Sequence, residues 1–372
     1  MSPHEIVPYR HEFKNAVVDL WRSAFVTGAF DRREYFEWKY ERNPYLPEPI
    51  LFLALDGEGR VVGTRGFHGS RWETPNASMV IPCAEDFAIA PEHRNSGLAT
   101  TMMRVALDDL AQRGYEYALS ASAGQTTVLH SLTMGWKSIG AMEPVGRLAW
   151  HGRARRGIDW VSRRARRLWR PRGLSRAINR SLYGSPFQRL DRAADARSTG
   201  HETSIVVQRS PNPRALADLA ARLPHDGRIR HVRDLAFFEW RYLNPAREYR
   251  FLLYERKGRV DGYMAISRSH PLPTQISDWE GMSHEVRAQL LEFALSRGDF
   301  AGVGAWTASL PVGSKELLER AGFRPTETDR RARGMPCVLL NKLGADGDWA
   351  IAGVPALDPS NWDIRLIDSM RG

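Results

Sequence analysis

Cysteine is scarce in this 372-residue chain, and long apolar runs are missing altogether. Cys83 and Cys337 lie far apart and form no CxxC pair, so neither a disulfide framework nor a metal site built on cysteines is expected. No apolar run approaches the roughly 20 residues that a membrane-spanning helix requires. The first residues also lack the apolar centre of a signal peptide. We therefore expect a soluble or peripheral protein of the reducing cytoplasm, without a metal cofactor.

The common nucleotide-binding signatures are missing as well. The sequence contains no GxGxxG, and no glycine loop is followed by Lys-Ser or Lys-Thr. These absences argue against a Rossmann dinucleotide site and against a P-loop.

Positive charge is concentrated in one segment. The net charge is +10, and residues 151–200 contain 14 Arg and no Lys against three Asp, whereas the remaining sequence is balanced. Ile158, Val161 and Leu168 share one helical face there, which is typical of an amphipathic helix. Three interpretations stay open: a helical linker, favoured here; an element that binds an anionic membrane at its inner face through residues 153–192; and a nucleic-acid surface, disfavoured because no binding motif accompanies the charge.

The segment 85–114 has the pattern of a strand, a polar loop and a helix. A strand over about 79–90 ends before Pro91, and apolar residues recur at helical spacing after the loop. In the loop, Gly97 permits close approach of the backbone to a ligand, while the unpaired N–H groups of the first helical turn point outward. Arg94 adds a positive charge. The segment therefore predicts a phosphate-binding site.

Arg94, Gly97 and Ala99 match the pattern Gln/Arg-x-x-Gly-x-Gly/Ala, and the segment resembles the acetyl-CoA pyrophosphate loop of the GNAT acetyltransferase superfamily. The predicted order of helices and strands is similar to the GNAT order. The resemblance implies an α+β (α/β) fold, with a mixed, mainly antiparallel sheet flanked by helices, and acetyl-CoA as co-substrate. It also implies the residues that bind this co-substrate: Phe87, Ala88, Ile89, Arg94, Asn95, Ser96, Gly97, Leu98, Ala99 and Thr100.

The same resemblance implies catalytic residues just before the loop. GNAT enzymes transfer the acetyl group directly to an amine, which must first lose a proton to a base. Glu85 and Asp86 are the candidates; alternation along a strand predicts that they face opposite sides, and Glu85 is favoured. A solvated or salt-bridged carboxylate pair is the alternative. Where many relatives have a Tyr that protonates the thiolate, this sequence has Ser131, so the acid stays unassigned and water could serve.

The second half of the sequence repeats the first. Residues 237–245 copy the aromatic segment 35–44, residues 260–266 copy the hairpin strand 61–67, and Ala321-Gly322-Phe323 corresponds to Met134-Gly135-Trp136. Three matches in the same order indicate a duplicated domain. We predict a catalytic GNAT domain at 1–150, an Arg-rich helical linker at 151–200 and a second GNAT-like domain at 201–372. The aromatic segment is interpreted as core and domain packing.

The second copy is predicted to be catalytically degenerate. An offset of 184 residues sets Gly281 opposite Gly97, Asp278 opposite Arg94 and Glu280 opposite Ser96. Two carboxylates in a phosphate loop would repel a pyrophosphate.

Two classes of function follow from these patterns. The first is an acetyl-CoA-dependent acyltransferase acting on a primary amine, with an amino sugar or cell-envelope precursor as the suggested acceptor. A hydroxyl acceptor and a longer acyl donor stay open. The second is a non-catalytic protein that binds acyl-CoA or acts as a scaffold, which the missing Tyr favours.

Overall fold

The computed structural model describes residues 4–25, 30–148, 187–194, 203–269, 274–298, 300, 302–326, 337–344 and 347–369. Most of the Arg-rich segment, with the predicted linker helices and membrane element, lies outside these residues. Its last part, Gln188–Ala194, is a helix that begins after the buried Phe187 and also buries Leu190 in the core of the second half. Among the described helices, none combines the length and the apolar character needed to cross a membrane.

The first half alternates helices with antiparallel strands. Its strands are β1 (Glu5–Pro8), β2 (Ile50–Leu55), β3 (Val61–Glu73), β4 (Ser78–Ile89), β5 (Tyr117–Ala123), β6 (Lys137–Ala141) and β7 (Pro144–Leu148). Its helices are α1 (Lys14–Ala24), α2 (Arg32–Phe36), which continues as a π-helix over Glu37–Glu41, α3 (Leu98–Gln112) and α4 (Gln125–Leu132). The apolar pattern of the sequence predicts a helix over 14–30 and a strand over 50–55. The helix ends earlier, at Ala24, whereas this strand and the strands predicted at 61–67 and 79–90 are confirmed.

The second half has the same order of elements. Its helices are α5 (Gln188–Ala194), α6 (Pro213–Arg222), α7 (Leu235–Arg241), α8 (His284–Arg297) and α9 (Val312–Arg320). Its long strands are β8 (Thr203–Gln208), β10 (Glu248–Arg256), β11 (Arg259–Arg268), β12 (Thr274–Gly281), β13 (Gly302–Trp306) and β15 (Cys337–Lys342). The short strands are β9 (Ile229–His231), β14 (Arg324–Pro325), β16 (Ala350–Ile351), β17 (Val354–Pro355) and β18 (Trp362–Asp363).

The two large sheets exchange strands. The first has the order β1-β2-β3-β4-β5-β15-β6, and β9 joins it by pairing with β3 and β18. The second has the order β14-β7-β13-β12-β11-β10-β8. Strand β15, from the end of the chain, thus lies between two strands of the first half, and β7 completes the sheet of the second half. The boundaries predicted at 150 and 200 do not separate the two sheets.

The hydrogen-bond register supports the predicted duplication. The strand pairs β2–β3 and β10–β11 both have a register shift one residue before their turn, after Ala54 in the first half and after Tyr254 in the second. Gly63 and Gly262 occupy the same place in the two hairpins. This match sets Arg65 opposite Met264 and Thr64 opposite Tyr263.

The aromatic segments of the two repeats meet at the contact between the halves. The indole rings of Trp38 and Trp240 stack at 5.3 Å with an angle of 13° between their planes. Each ring also donates a hydrogen bond to the other residue's carbonyl oxygen, at 2.8 Å from Trp38 Nε1 and 2.7 Å from Trp240 Nε1. Both side chains are buried. This reciprocal pair agrees with the interpretation of the segment as core and domain packing.

We expect Trp240→Phe to lower the free energy of unfolding by about 1–2 kcal/mol, because the Trp38 carbonyl oxygen then loses its buried donor. Trp240→Ala should cost about 3–5 kcal/mol, since it also leaves a cavity. Denaturant unfolding measures both effects. The control is Leu243→Ala, because that side chain is 58% exposed. Equal unfolding midpoints for Trp240→Ala and Leu243→Ala would contradict the importance of the pair.

Candidate active site

Strands β4 and β5 run parallel but remain paired at only one position. Cys83 is in register with Leu119, and no further residue pair continues the ladder toward the carboxyl ends of the two strands. Beyond this position lies a cavity of about 550 Å³. Its lining comes from the end of α1, the start of α2, both diverging strands and α4: Trp21, Phe25, Phe30, Arg32, Tyr35, Arg65, Ala84, Glu85, Asp86, Phe87, Ser120, Ala123, Gly124 and Thr127. Its volume suits a small-molecule site.

A β-bulge brings Glu85 and Asp86 together in this cavity. Gly66 pairs with Glu85 and Thr64 with Ala88, so β4 has one more residue than β3 in this interval. Asp86 adopts a φ of 50°, which is rare for a residue other than glycine. The prediction that the two carboxylates face opposite sides of the strand is therefore wrong, because the extra residue interrupts the alternation. Both line the cavity.

The Asp86 carboxylate is held by the helix that follows α2. Lys39 Nζ donates to Asp86 Oδ2 at 2.6 Å and the Tyr40 hydroxyl donates to the same oxygen at 2.7 Å. Burial alone would lower the pKa of Lys39, but the charge of Asp86 reverses this effect and raises it. Burial, followed by the Asp86 charge, raises the pKa of Tyr40 well above its usual value. Asp86 therefore lies in a buried ion pair.

The predicted phosphate loop has a conformation that leaves the start of α3 open. Gly97, the residue before α3, has a φ of 77°, and no side chain caps the first turn. A Cβ atom at Gly97 would meet no atom within 4 Å. The Ser96 hydroxyl does not cap the helix, because it donates to the His93 carbonyl at 2.8 Å. Arg94 is anchored by a 2.9 Å bond from Nε to the Ile89 carbonyl. These features fit a bound phosphate group.

Two other candidates lie away from the cavity. The Ser131 side chain is buried and is not among the lining residues, so nothing in the geometry supports it as the acid. Cys83 is buried below the cavity, and burial raises the pKa of its thiol to about 12. A thiol with this pKa is a weak nucleophile at neutral pH, which argues against a covalent acyl-cysteine step.

Several lining residues escaped the sequence analysis. Trp21 lies in a segment whose apolar spacing predicts a core helix, and Tyr35 belongs to the aromatic segment. Lys39, also in that segment, does not line the cavity but binds Asp86. Arg65 lies in a strand whose apolar pattern predicts burial, and that pattern gives no reason for a charged residue. The repeat contains a usable signal, because Met264 occupies the place of Arg65 in the second half.

The second half differs from the prediction in its alignment. Gly281 pairs with Gly262, just as Ile89 pairs with Gly63, so Gly281 is the end of β12 and corresponds to the end of β4. Asp278 and Glu280 consequently lie within a strand, and the offset of 184 residues is wrong at this point. Only Met282 and Ser283 separate β12 from α8, and Ser283 caps that helix through its side chain. The second half has no counterpart of the loop 91–97.

The opening between β12 and β13 is filled by the chain itself. These parallel strands pair only through Thr274 and Gln275, and Arg365 and Leu366 lie where the strands diverge. Only about 20 Å³ of cavity remains there. Arg365 donates to Asp278 Oδ1 at 3.1 Å and to the Trp279 carbonyl at 2.8 Å, and it also binds Glu280. The carboxylates that were predicted to repel a phosphate are therefore partners of an internal arginine.

Comparison with known proteins agrees with this geometry. Residues 5–128 match the family model of the acetyltransferase (GNAT) domain. The fold is similar to a probable N-acyltransferase from Enterococcus faecalis V583, with a TM-score of 0.60 and 13% identity over 92% of this chain and 73% of that one. It is also similar to a GCN5-related N-acetyltransferase from Anabaena variabilis ATCC 29413, with a TM-score of 0.58 and 13% identity over 92% and 73% of the chains.

A tandem GNAT protein from the clavulanic acid biosynthesis pathway has a similar fold over its whole length. The TM-score is 0.53, and the identity is 14% over 93% of this chain and 100% of that one. No curated protein matches the sequence. At these identities the likeness concerns the fold, and it supports the predicted arrangement of two GNAT-like halves.

The ion cluster around Arg365 predicts an unusual pH dependence. Burial raises the pKa of Asp368 to about 6, although the charge of Arg233 opposes this shift. Because its pKa is raised, Asp368 keeps its proton in the folded state up to about pH 6, whereas the unfolded chain loses this proton near pH 4. The free energy of unfolding therefore falls as the pH rises from 4 to 6. Relative to wild type, Asp368→Asn should gain about 2–3 kcal/mol between pH 4 and pH 7.

Denaturant unfolding at the two pH values measures this difference. The control is Asp358→Asn, because Asp358 is exposed and its pKa is lowered, chiefly by the Ser360 side chain and backbone. A difference between Asp368→Asn and wild type that does not change with pH would refute the assignment.

Proposed function

We propose that the first half transfers an acetyl group from acetyl-CoA to a primary amine. Residues 5–128 match the family model of the acetyltransferase (GNAT) domain, and the fold is similar to that of a tandem GNAT protein, which supports the proposal. The observation that carries the proposal is the cavity at the divergence of β4 and β5, which is lined by two carboxylates of the strand that leads into the phosphate loop. A phosphate site, a slot for an acyl chain and a base are the parts that such a transfer requires.

The co-substrate would bind along the α3 side of this cavity. The pyrophosphate is assigned to the loop 94–100, where the first-turn N–H groups of α3 and Arg94 attract an anion. The acyl-bearing arm would then enter between Phe87 and Ser120, on the two diverging strands. The extra residue of the β4 bulge has no partner in the ladder, so a backbone N–H at 86–87 is available to the thioester carbonyl.

Glu85 is the proposed base. The amine nitrogen attacks the thioester carbon, the carbon–sulfur bond breaks, and the amine proton passes to Glu85 directly or through water. Asp86 is less suited to this step, because Lys39 and Tyr40 already bind its carboxylate. The departing thiolate takes its proton from water, since Ser131 does not line the cavity.

The second half is proposed to support the first without binding a co-substrate. Arg365 and Leu366 occupy the slot between β12 and β13, and the phosphate loop is absent. A non-catalytic acyl-CoA-binding protein is the alternative function. It would bind the co-substrate through the same loop but release no thiol with any amine. Thiol release from acetyl-CoA over a panel of amines, including amino sugars, separates the two functions.

We expect one CoA per chain, and Gly97→Glu should reduce its affinity at least tenfold while the fold survives. The glutamate would project toward the open start of α3 and repel the phosphate. Isothermal calorimetry measures both quantities. Gly59→Glu is a matched control, because Gly59 has a φ of 76° and equally open surroundings but lies in the β2–β3 turn. Two equivalent sites, or equal losses in the two variants, would contradict the proposal.

Glu85→Gln should lower kcat by about 10²–10⁴ with CoA affinity unchanged, because the amide cannot accept the proton. The loss should shrink at high pH, where more of the acceptor is already a free amine. Steady-state thiol release from pH 6 to pH 10 measures this dependence, with the exposed Glu92→Gln as the control. Near-normal turnover of Glu85→Gln would indicate that Asp86 or water, and not Glu85, is the base.

A further inference from the structure

Arg65 is a buried cation without a hydrogen-bonded partner, although the charge of Glu85 partly offsets the lowering of its pKa by burial. Its side chain lines the cavity, the residue is 5% exposed, and Nε is buried with no hydrogen-bond partner. Its guanidinium lies over the rings of Phe67 and Phe87, at 5.5 and 5.6 Å from their centroids. No ion pair or hydrogen bond of Arg65 occurs within the described part of the chain. A buried charge without a partner is unfavourable for folding, so its presence calls for a reason.

The other buried arginines in the described ranges each make hydrogen bonds through the guanidinium. Arg250 binds Asp191, Arg241 donates to the carbonyls of Ile367 and Ser369, and Arg365 binds Asp278. Arg32 also lines the cavity, but it donates to the Phe25 carbonyl oxygen at 2.6 Å. Arg65 faces the cavity without such a bond. In the second half, where the corresponding slot is filled, the equivalent position is Met264, which is fully buried in the apolar core. The cation is thus found only in the half that retains the cavity.

The chemistry of the cavity indicates which group would bind there. A guanidinium presents a planar fork of donors that matches a carboxylate. Burial lowers the pKa of Arg65 to about 10, so the group is still a cation at neutral pH. The faces of Phe67 and Phe87 offer it a further favourable cation–π contact. Glu85 and Asp86 line the same cavity and would repel an anion placed beside them. Arg32, the second arginine of the lining, already donates to the Phe25 carbonyl oxygen. Arg65 is therefore the favourable position for an anion.

We propose that Arg65 binds a carboxylate carried by the substrate. This inference rests on the proposed acyltransferase function and narrows its substrate class. The carboxylate has two chemical sources: an acceptor that is an amino acid, with its amine at Glu85, or an acyl donor that is the monothioester of a dicarboxylic acid. In either case a carboxylate lies beside Arg65. The reacting centre, which is the amine of the acceptor or the thioester carbon of the donor, lies near the β4 bulge.

Matched substrate pairs test the proposal and separate the two sources. The acceptor pair is phenylalanine and its carboxamide with acetyl-CoA, with rates corrected for the fraction of free amine. The donor pair is succinyl-CoA and butyryl-CoA with one uncharged amine. We expect wild type to prefer the carboxylate member of at least one pair about 10- to 100-fold in kcat/KM. Arg65→Met should abolish this preference, and Arg65→Lys should keep part of it.

Turnover with no preference in either pair, or an unchanged preference in Arg65→Met, would overturn the inference and leave the acyltransferase function intact. If no pair releases thiol, the acyltransferase function fails instead. Calorimetry then tests the role of Arg65 in binding. Succinyl-CoA should bind wild type at least tenfold more tightly than butyryl-CoA does, and the two should bind Arg65→Met with equal affinity. Equal affinities in wild type would refute the subsite.

Stability distinguishes a binding role from a structural one. Arg65→Met replaces an unpaired buried cation by the residue that the second half uses, so its thermal midpoint should equal or exceed that of wild type. The control is Arg250→Met, which leaves the Asp191 carboxylate without its main partner and should lower the midpoint. A fall of similar size in both variants would indicate that Arg65 serves the core.

Discussion

The stacked pair of Trp38 and Trp240 fixes the position of the segment on which the candidate site depends. Each indole donates to the other residue's carbonyl, so neither aromatic segment can shift without breaking two buried hydrogen bonds. Lys39 and Tyr40 follow Trp38 directly, and their side chains bind the Asp86 carboxylate. These bonds hold Asp86 in an uncommon backbone conformation, at the bulge that presents Glu85 to the cavity. The contact between the halves thereby determines the geometry of the carboxylates.

The two halves have used the same framework in different ways. Tyr40 and Tyr242 occupy corresponding places and both donate to an aspartate, Asp86 in the first half and Asp278 in the second. In the second half Asp278 also binds Arg233 and Arg365, so its charge is neutralised inside the protein. The divergence of the parallel strands, a property of the fold, leaves an opening in both halves. One opening remains a cavity, and the other is closed by the chain near its carboxyl end.

Periodic and local features could be predicted from the sequence. The strands at 50–55 and 61–67, the loop before α3 and the duplication all depend on short-range patterns, and the structure agrees with them. The bulge at Asp86 could not be predicted, because one extra residue in a strand does not change its apolar composition visibly. Beyond the bulge, each side chain faces the side of the sheet opposite to the one predicted. The offset between the repeats failed because the connection from strand to helix is shorter in the second half. The exchange of β7 and β15 depends on pairing between residues about 150 to 225 positions apart, which no local pattern records.

Strand β15 has a consequence for the order in which the protein is made. It lies between β5 and β6, yet its residues, Cys337–Lys342, leave the ribosome long after both neighbours. Until then β5 has an unpaired edge, which is a surface prone to association with other chains. The first sheet therefore cannot close during synthesis of the first half, as an independent domain would. Folding of the first half has to wait until β15 has been made, so the candidate site cannot be completed on a product that stops before this strand.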